Sequence, residues 1–186
     1  IVWEWHLCDH LGADDPGKWD PARPQNFNSL DYDPHRDQIL IGCNFCNELF
    51  IIDRSIDSEE AQGPAGDFLY RWGNPQNYGR GTAEDQKLAF NHTVRFITNE
   101  FGFKLGKGKK SPDGNGFGNI IAYNNRHEVN GPCANGSPIC SAIVEITPPY
   151  HKKSNSYEKP PAGLPYGPAD FTSVVQNIVD GTGNRD

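Results

Sequence analysis

Short segments of alternating apolar and polar residues recur along this chain, separated at regular intervals by turn-forming residues. Asn28 to Asp33, Gln38 to Gly42, Glu48 to Asp53 and Phe68 to Trp72 each read as a strand. Pro34-His35-Arg36-Asp37 and Cys43 to Asn47 read as tight turns between the first three. A loop rich in Ser, Asp, Glu and Gly precedes the fourth. Four strands within about 45 residues make a meander the size of one β-propeller blade. His92 to Thr98, Gly118 to Asn124 and Ser141 to Thr147 repeat the order. Val2 to His6 reads as the last strand of a preceding blade, and Phe171 to Val179 as the first of a following one. The expected fold class is all-β, a propeller segment of two four-stranded blades with parts of two flanking blades. Its expected divisions are a blade end over 1–25, a blade over 26–75, a blade with long insertions over 90–165 and the start of another over 166–186. Ala83 to Phe90 is the one stretch with room for two helical turns.

Open blades leave strand edges unpaired. Completion by the rest of a longer chain, or by self-association, is therefore expected. The opening Ile1-Val2-Trp3-Glu4-Trp5 reads as mid-strand in a chain without methionine, so a mature or internal segment is expected.

Composition narrows the partners. The 186 residues include Gly 20 and Pro 15, with 35% hydrophobic positions and a mean hydropathy of -0.69. That balance suits a loop-rich globular domain rather than a disordered one. A net charge of -7 argues against nucleic acid or an anionic membrane surface as partner. No apolar run approaches the ~18 residues of a spanning helix.

The five cysteines are Cys8, Cys43, Cys46, Cys133 and Cys140. Cys133 and Cys140 flank a polar, turn-rich loop that suits a local disulfide. Cys43-Asn44-Phe45-Cys46 has metal-site or redox spacing, but no second pair or nearby histidine completes a zinc site, so no metal is expected. A bond from Cys8 to Cys43 or Cys46 is expected, leaving one odd thiol. Asn91-His92-Thr93 and Asn135-Gly136-Ser137 are glycosylation acceptors, placing candidate glycans on Asn91 and Asn135. Disulfides and acceptor sites together point to an extracellular or periplasmic protein.

Candidate chemistry concentrates where strand signals give way to turns. Gly73, Asn74, Pro75, Gly79 and Gly81 force an irregular loop that brings Arg71 and Arg80 beside Tyr78. Arginines held by a rigid sheet suit sulfate, phosphate or carboxylate; pairing with nearby acids is the plain alternative. Lys104, Lys107, Lys109 and Lys110 lie among glycines and read as a solvated loop. His6 and His10 flank Asp9 at a strand end, and Asp31, Asp33 and Asp37 read as a corner rather than a calcium loop.

Several segments, in order, resemble the bacterial-type arylsulfotransferases. They are Trp3 to Leu11, Asn28 to Pro34 with Asp37-Gln38-Ile39, and Leu49 to Ser55. Tyr70-Arg71-Trp72-Gly73-Asn74-Pro75, Asp85-Gln86 with Phe90-Asn91-His92, and Gly118-Asn119-Ile120 with Asn124-Asn125 complete the set. The resemblance spans about Ile1 to Thr147. It implies a six-bladed propeller that moves a sulfuryl group from a phenolic sulfate to a phenol through a histidine intermediate, without a cofactor. It carries a catalytic role to His92 and substrate binding to Asn26, Arg71, Asn124 and Asn125. The chain departs from the family at Asn26, where a His-x-Asn-Ser histidine is usual. Arg126 is the nearest counterpart of the family's arginine, and the nucleophilic histidine has no assigned position. The departure opens an alternative, a catalytically inactive propeller protein with an extracellular binding or assembly role.

Overall fold

The computed structural model describes residues 2–11, 25–97, 118–128 and 139–176, with only the backbone at 126–128, 139–140 and 173–176. Two four-stranded antiparallel sheets dominate it. The first runs in chain order, β1 (Phe27–Asp33), β2 (Gln38–Cys43), β3 (Glu48–Asp53) and β4 (Tyr70–Trp72). The second pairs β5 (His92–Phe96), β6 (Ile120–Glu128), β7 (Ile139–Ile146) and β10 (Thr172–Gln176). A two-stranded hairpin, β8 (Tyr150–His151) with β9 (Ser156–Tyr157), lies between β7 and β10 in the chain.

Local chemistry sets the two tight hairpins of the first sheet. Asp33 Oδ1 accepts from the amides of His35 and Arg36 at 2.9 and 3.4 Å, forming an Asx turn. The turns end in left-handed Asp37 (φ +52°) and Asn47 (φ +56°), residue types that tolerate that region. Three-residue β4 pairs with β3 from Leu49↔Trp72 to Ile51↔Tyr70.

Strand β3 is buried on both faces, which is why its sequence is an apolar run instead of an alternation. Leu49 and Ile51 enter a core with Leu40, Trp72, Val94, Phe96, Ile120 and Val144, and so lie between the sheets. Phe50 and Ile52 face a second cluster with Phe68, against which Trp3, Trp5 and Leu7 pack. The indole N–H groups of Trp3 and Trp5 donate to Ile56 O and Gly66 O at 2.9 and 2.8 Å. His10 stacks on Trp5, with Nε2 2.8 Å from Ala61 O and Nδ1 3.0 Å from Asp67. It is a packing histidine, and His6 pairs instead with Glu4 at 2.9 Å.

The sheets meet at their opening strands. Ser29 Oγ accepts from Val94 N at 3.1 Å, and Asp31 Oδ2 from Phe96 N at 2.8 Å. Side chains of β1 thus satisfy the edge amides of β5 without fusing the sheets. Gly42 sits where this approach is tightest: a Cβ there would collide with Ser29 and Val94.

Three sequence expectations are corrected. Residues 2–6 form no strand and lead into a 3₁₀ turn at Leu7–His10, held by the indole bonds rather than by a ladder. Strand β10 completes the second sheet beside β7 instead of opening a new one. Within Ala83 to Phe90 only Ala83–Asp85 is helical, a 3₁₀ turn closed by a Thr82–Asp85 capping box. Among the described residues, no helix is long and apolar enough to cross a membrane.

Candidate functional site

Residues 87–91 lead into β5, and carboxamides fix their backbone. Asn124 Oδ1 accepts from Ala89 N at 2.8 Å, and its Nδ2 donates to Lys87 O at 3.0 Å. Asn125 Nδ2 donates to Phe90 O at 2.9 Å, and Asn47 Oδ1 accepts from Phe90 N at 2.8 Å. Asn44 and Asn28 both donate to Asn91 O, at 3.1 and 2.9 Å. A carboxamide is both donor and acceptor, so it can pair with either end of a peptide unit. This collar holds Phe90 (φ +52°) and, past His92, Thr93 (φ +51°) left-handed. Thr93 lies in a register shift between His92 and Arg95, the kind of irregularity that re-aims a side chain at the end of a strand.

The half-buried ring of His92 is oriented by Asn28. Asn28 Nδ2 must be the amide nitrogen, because Asn91 O can only accept from it. Its second proton points to His92 Nδ1 at 2.9 Å, so Nδ1 accepts and the proton of the neutral ring sits on Nε2. Among the described residues no side chain takes up that Nε2–H. The result is a fixed N–H donor on a half-buried ring. Nε2 has no lone pair for attack on sulfur in this tautomer.

The other expected site residues are placed differently. Arg71 lies within β4, only 4% exposed, with Nε 2.6 Å from Glu48 Oε1 and Nη2 3.2 Å from Glu48 Oε2. Its guanidinium is sandwiched between the rings of Phe68 and Tyr78, at 4.5 and 4.4 Å. Arg80 Nη1 donates to the carbonyls of Pro160, Pro161 and Leu164 at 3.2, 2.9 and 3.1 Å. Arg71 is thus tied into the sheet and Arg80 into the proline-rich loop. Asn124 and Asn125 spend their amides on the collar. Asn26 is exposed at the entry to β1, its carbonyl accepting from Asn44 N at 3.0 Å. Asn91 is fully buried, with Nδ2 3.4 Å from Glu48 O, so the folded chain offers no room for a glycan there.

Cys43 and Cys46 are bonded to each other, their Cα atoms 5.2 Å apart, and Cys8 is free and exposed. The expected bond from Cys8 is thereby corrected: the β2–β3 turn already sets the two residues within bridging distance. Cys133, Asn135 and the lysines at 104–110 lie outside the described residues, as do the side chains of Arg126 and Cys140.

A small pocket of about 50 Å³ lies apart from His92, lined by Trp72, Tyr78, Asp85, Lys87 and Tyr166. It is far below the roughly 300–1,000 Å³ of small-molecule sites. Burial pushes the Tyr78 and Tyr166 hydroxyls above the ordinary phenol range, with Glu48 adding to both.

Sequence reasoning missed Asn28, Asn44 and Asn47 as site-building residues. Asparagine at a strand start or hairpin turn carries an ordinary local explanation, and only the fold shows that these amides reach across to residues 90–92. No family model, characterised protein or solved structure matches this chain.

Proposed function

We propose that this protein recognises an aryl sulfate at His92 and belongs with sulfuryl-transfer proteins of propeller architecture. The observation that carries the reading is the Nε2–H of His92, oriented by Asn28 and unengaged by any described side chain. Sulfuryl transfer spreads negative charge over three oxygens, and a fixed N–H donor at one of them lowers the barrier. SO₃ would move from one phenolic oxygen to another, while the acceptor's proton goes to the departing phenolate or to a base. Two meandering four-stranded sheets, adjoining at their first strands, support the propeller reading. The disulfide supports an oxidising location outside the cytosol.

The test is nitrophenolate release from p-nitrophenyl sulfate with phenol as acceptor. His92→Ala is expected to lower it by about 10²–10³-fold, the usual cost of one oxyanion donor. An unchanged rate in that variant would reject His92 as the anchor.

One observation favours a second reading, a binding protein without transfer. The His92 tautomer suits donation and not attack, and Asn26 stands where the family carries a histidine. Here p-nitrophenyl sulfate binds without turnover.

Asn28→Asp separates the tautomer from the ring itself. A carboxylate facing Nδ1 draws the proton there and strips the donor from Nε2. Affinity for p-nitrophenyl sulfate is expected to fall at least about tenfold, roughly the loss of one hydrogen bond to a charged group. Long-range ¹H–¹⁵N NMR reads the tautomer directly, and an Nε2–H ring in Asn28→Asp would refute the orienting role.

A further inference from the structure

We propose that the Cys43–Cys46 bridge is a redox control on the placement of His92. Its functional meaning rests on His92 as the N–H donor to the sulfate; its structural test does not. The β2–β3 turn closed by the bridge makes three contacts to the residues just before His92. Asn44 Nδ2 donates to Asn91 O at 3.1 Å, and Asn47 Oδ1 accepts from Phe90 N at 2.8 Å. The Phe45 ring meets the Phe90 ring edge-on, centroids 6.3 Å apart. Asn44 and Phe45 lie inside the ring that the disulfide closes, and Asn47 adjoins it.

The turn is also furnished for the reduced state. Cys43 Sγ lies 3.0 Å from Gln25 O, and Cys46 Sγ lies 3.4 Å from Gln25 Oε1. A disulfide has no proton to give these oxygens. A dithiol has two, and each finds an acceptor in place. The bridged cysteines are only three positions apart, so the closed loop restrains little chain entropy. Opening it leaves both sheets and their cores in place, and the effect falls on the turn and what the turn holds.

The reaction is exchange with a dithiol reductant. Its thiolate attacks Cys46 Sγ, the more exposed of the two at 7% against 0% for Cys43. The electron pair of the S–S bond leaves on Cys43 Sγ, which takes a proton. The reductant's second thiolate then attacks the mixed disulfide, releasing Cys46 as a thiol and the reductant as its own disulfide. Two electrons and two protons enter the protein. The freed turn loosens Asn44 and Asn47, Asn91 O loses one of its two amide donors, and Asn28 is free to leave the His92 ring.

The test uses the full chain carrying Cys8→Ser, labelled with ¹⁵N-histidine. Long-range ¹H–¹⁵N spectra of His92 and hydrogen exchange of the Phe90 amide are recorded before and after dithiothreitol, with the thiols counted. On reduction the Nε2–H pattern of His92 is expected to give way to an averaged one. Phe90 exchange is expected to quicken at least tenfold, and both changes to reverse on reoxidation. A chain also carrying Cys43→Ala and Cys46→Ala should show the relaxed pattern throughout and ignore the reductant. Identical His92 spectra and Phe90 exchange in the oxidised, opened and alanine chains would overturn the proposal. So would a bridge that dithiothreitol does not open, or global unfolding on reduction seen by circular dichroism. If the spectra respond as expected while no form releases nitrophenolate or binds its sulfate ester, the aryl sulfate reading fails and the coupling stands.

Discussion

Glu48→Gln is expected to lower the unfolding free energy by about 3–5 kcal/mol, measured as a fall in the urea midpoint at constant slope. Glu48 is fully buried and Arg71 nearly so, and two hydrogen bonds join them. Asn77 Nδ2 donates to Glu48 Oε2 at 2.8 Å, adding a third bond to the carboxylate. Neutralising the acid removes the Glu48 charge from a buried guanidinium packed between Phe68 and Tyr78. The cost is that of breaking a buried ion pair, not a surface pair, which is worth about 0–1 kcal/mol. Glu48→Leu combined with Arg71→Met removes both charges and should recover most of the loss. A midpoint unmoved by Glu48→Gln would show that Arg71 keeps its solvation another way.

The second large effect is alkaline. Burial raises the hydroxyls of Tyr70, Tyr78 and Tyr157 well above the ordinary phenol value, and the charge on Arg36 only partly offsets this at Tyr157. A group whose folded pKa is raised holds its proton more tightly in the native state. Its contribution is whole below the unfolded value near 10 and is lost as the pH climbs above it. Each such tyrosine steepens the decline by about 1.4 kcal/mol per pH unit, so the three together approach about 4 kcal/mol per unit. Absorbance at 295 nm should therefore rise in two stages. Exposed Tyr32 ionises before the buried set, which follows in one cooperative step that coincides with loss of circular dichroism. Smooth ionisation of all seven tyrosines in a folded chain would contradict the buried assignments.

Most of the strands were legible because their signals are local. Pro34 to Asp37 and Cys43 to Asn47 turn where their residue types demand, and Glu48 to Asp53 reads as a strand, though its burial on both faces shows only in the fold. Strand membership was less legible, because it depends on contacts far apart in the chain. Nothing in Phe171 to Gln176 reveals that it pairs with β7 across the intervening hairpin. The tryptophans at positions 3 and 5 give a strand-like alternation, yet they serve as anchors whose indoles reach backbone carbonyls more than 50 residues away. At the candidate site the sequence points to His92 but not to what aims it. Asn28 lies 64 positions away, and a lone asparagine carries no mark of the ring it faces. Arg71 misleads for the opposite reason: it suits an oxyanion, and its partner Glu48 is visible only once β3 and β4 are paired.

The side-chain hydrogen bonds described above that grip residues 87–91 come from uncharged carboxamides. Carboxamides neither gain nor lose protons in the range where the fold survives, so acidity and ionic strength leave this scaffold alone. What does threaten it is slow chemical ageing. Hydrolysis of a single amide to a carboxylate replaces a donor with an anion aimed at a carbonyl oxygen, and at position 28 or 44 that oxygen is Asn91 O. A stored sample that gains one dalton at either position would lose an amide donor to Asn91 O while its sheets stayed intact.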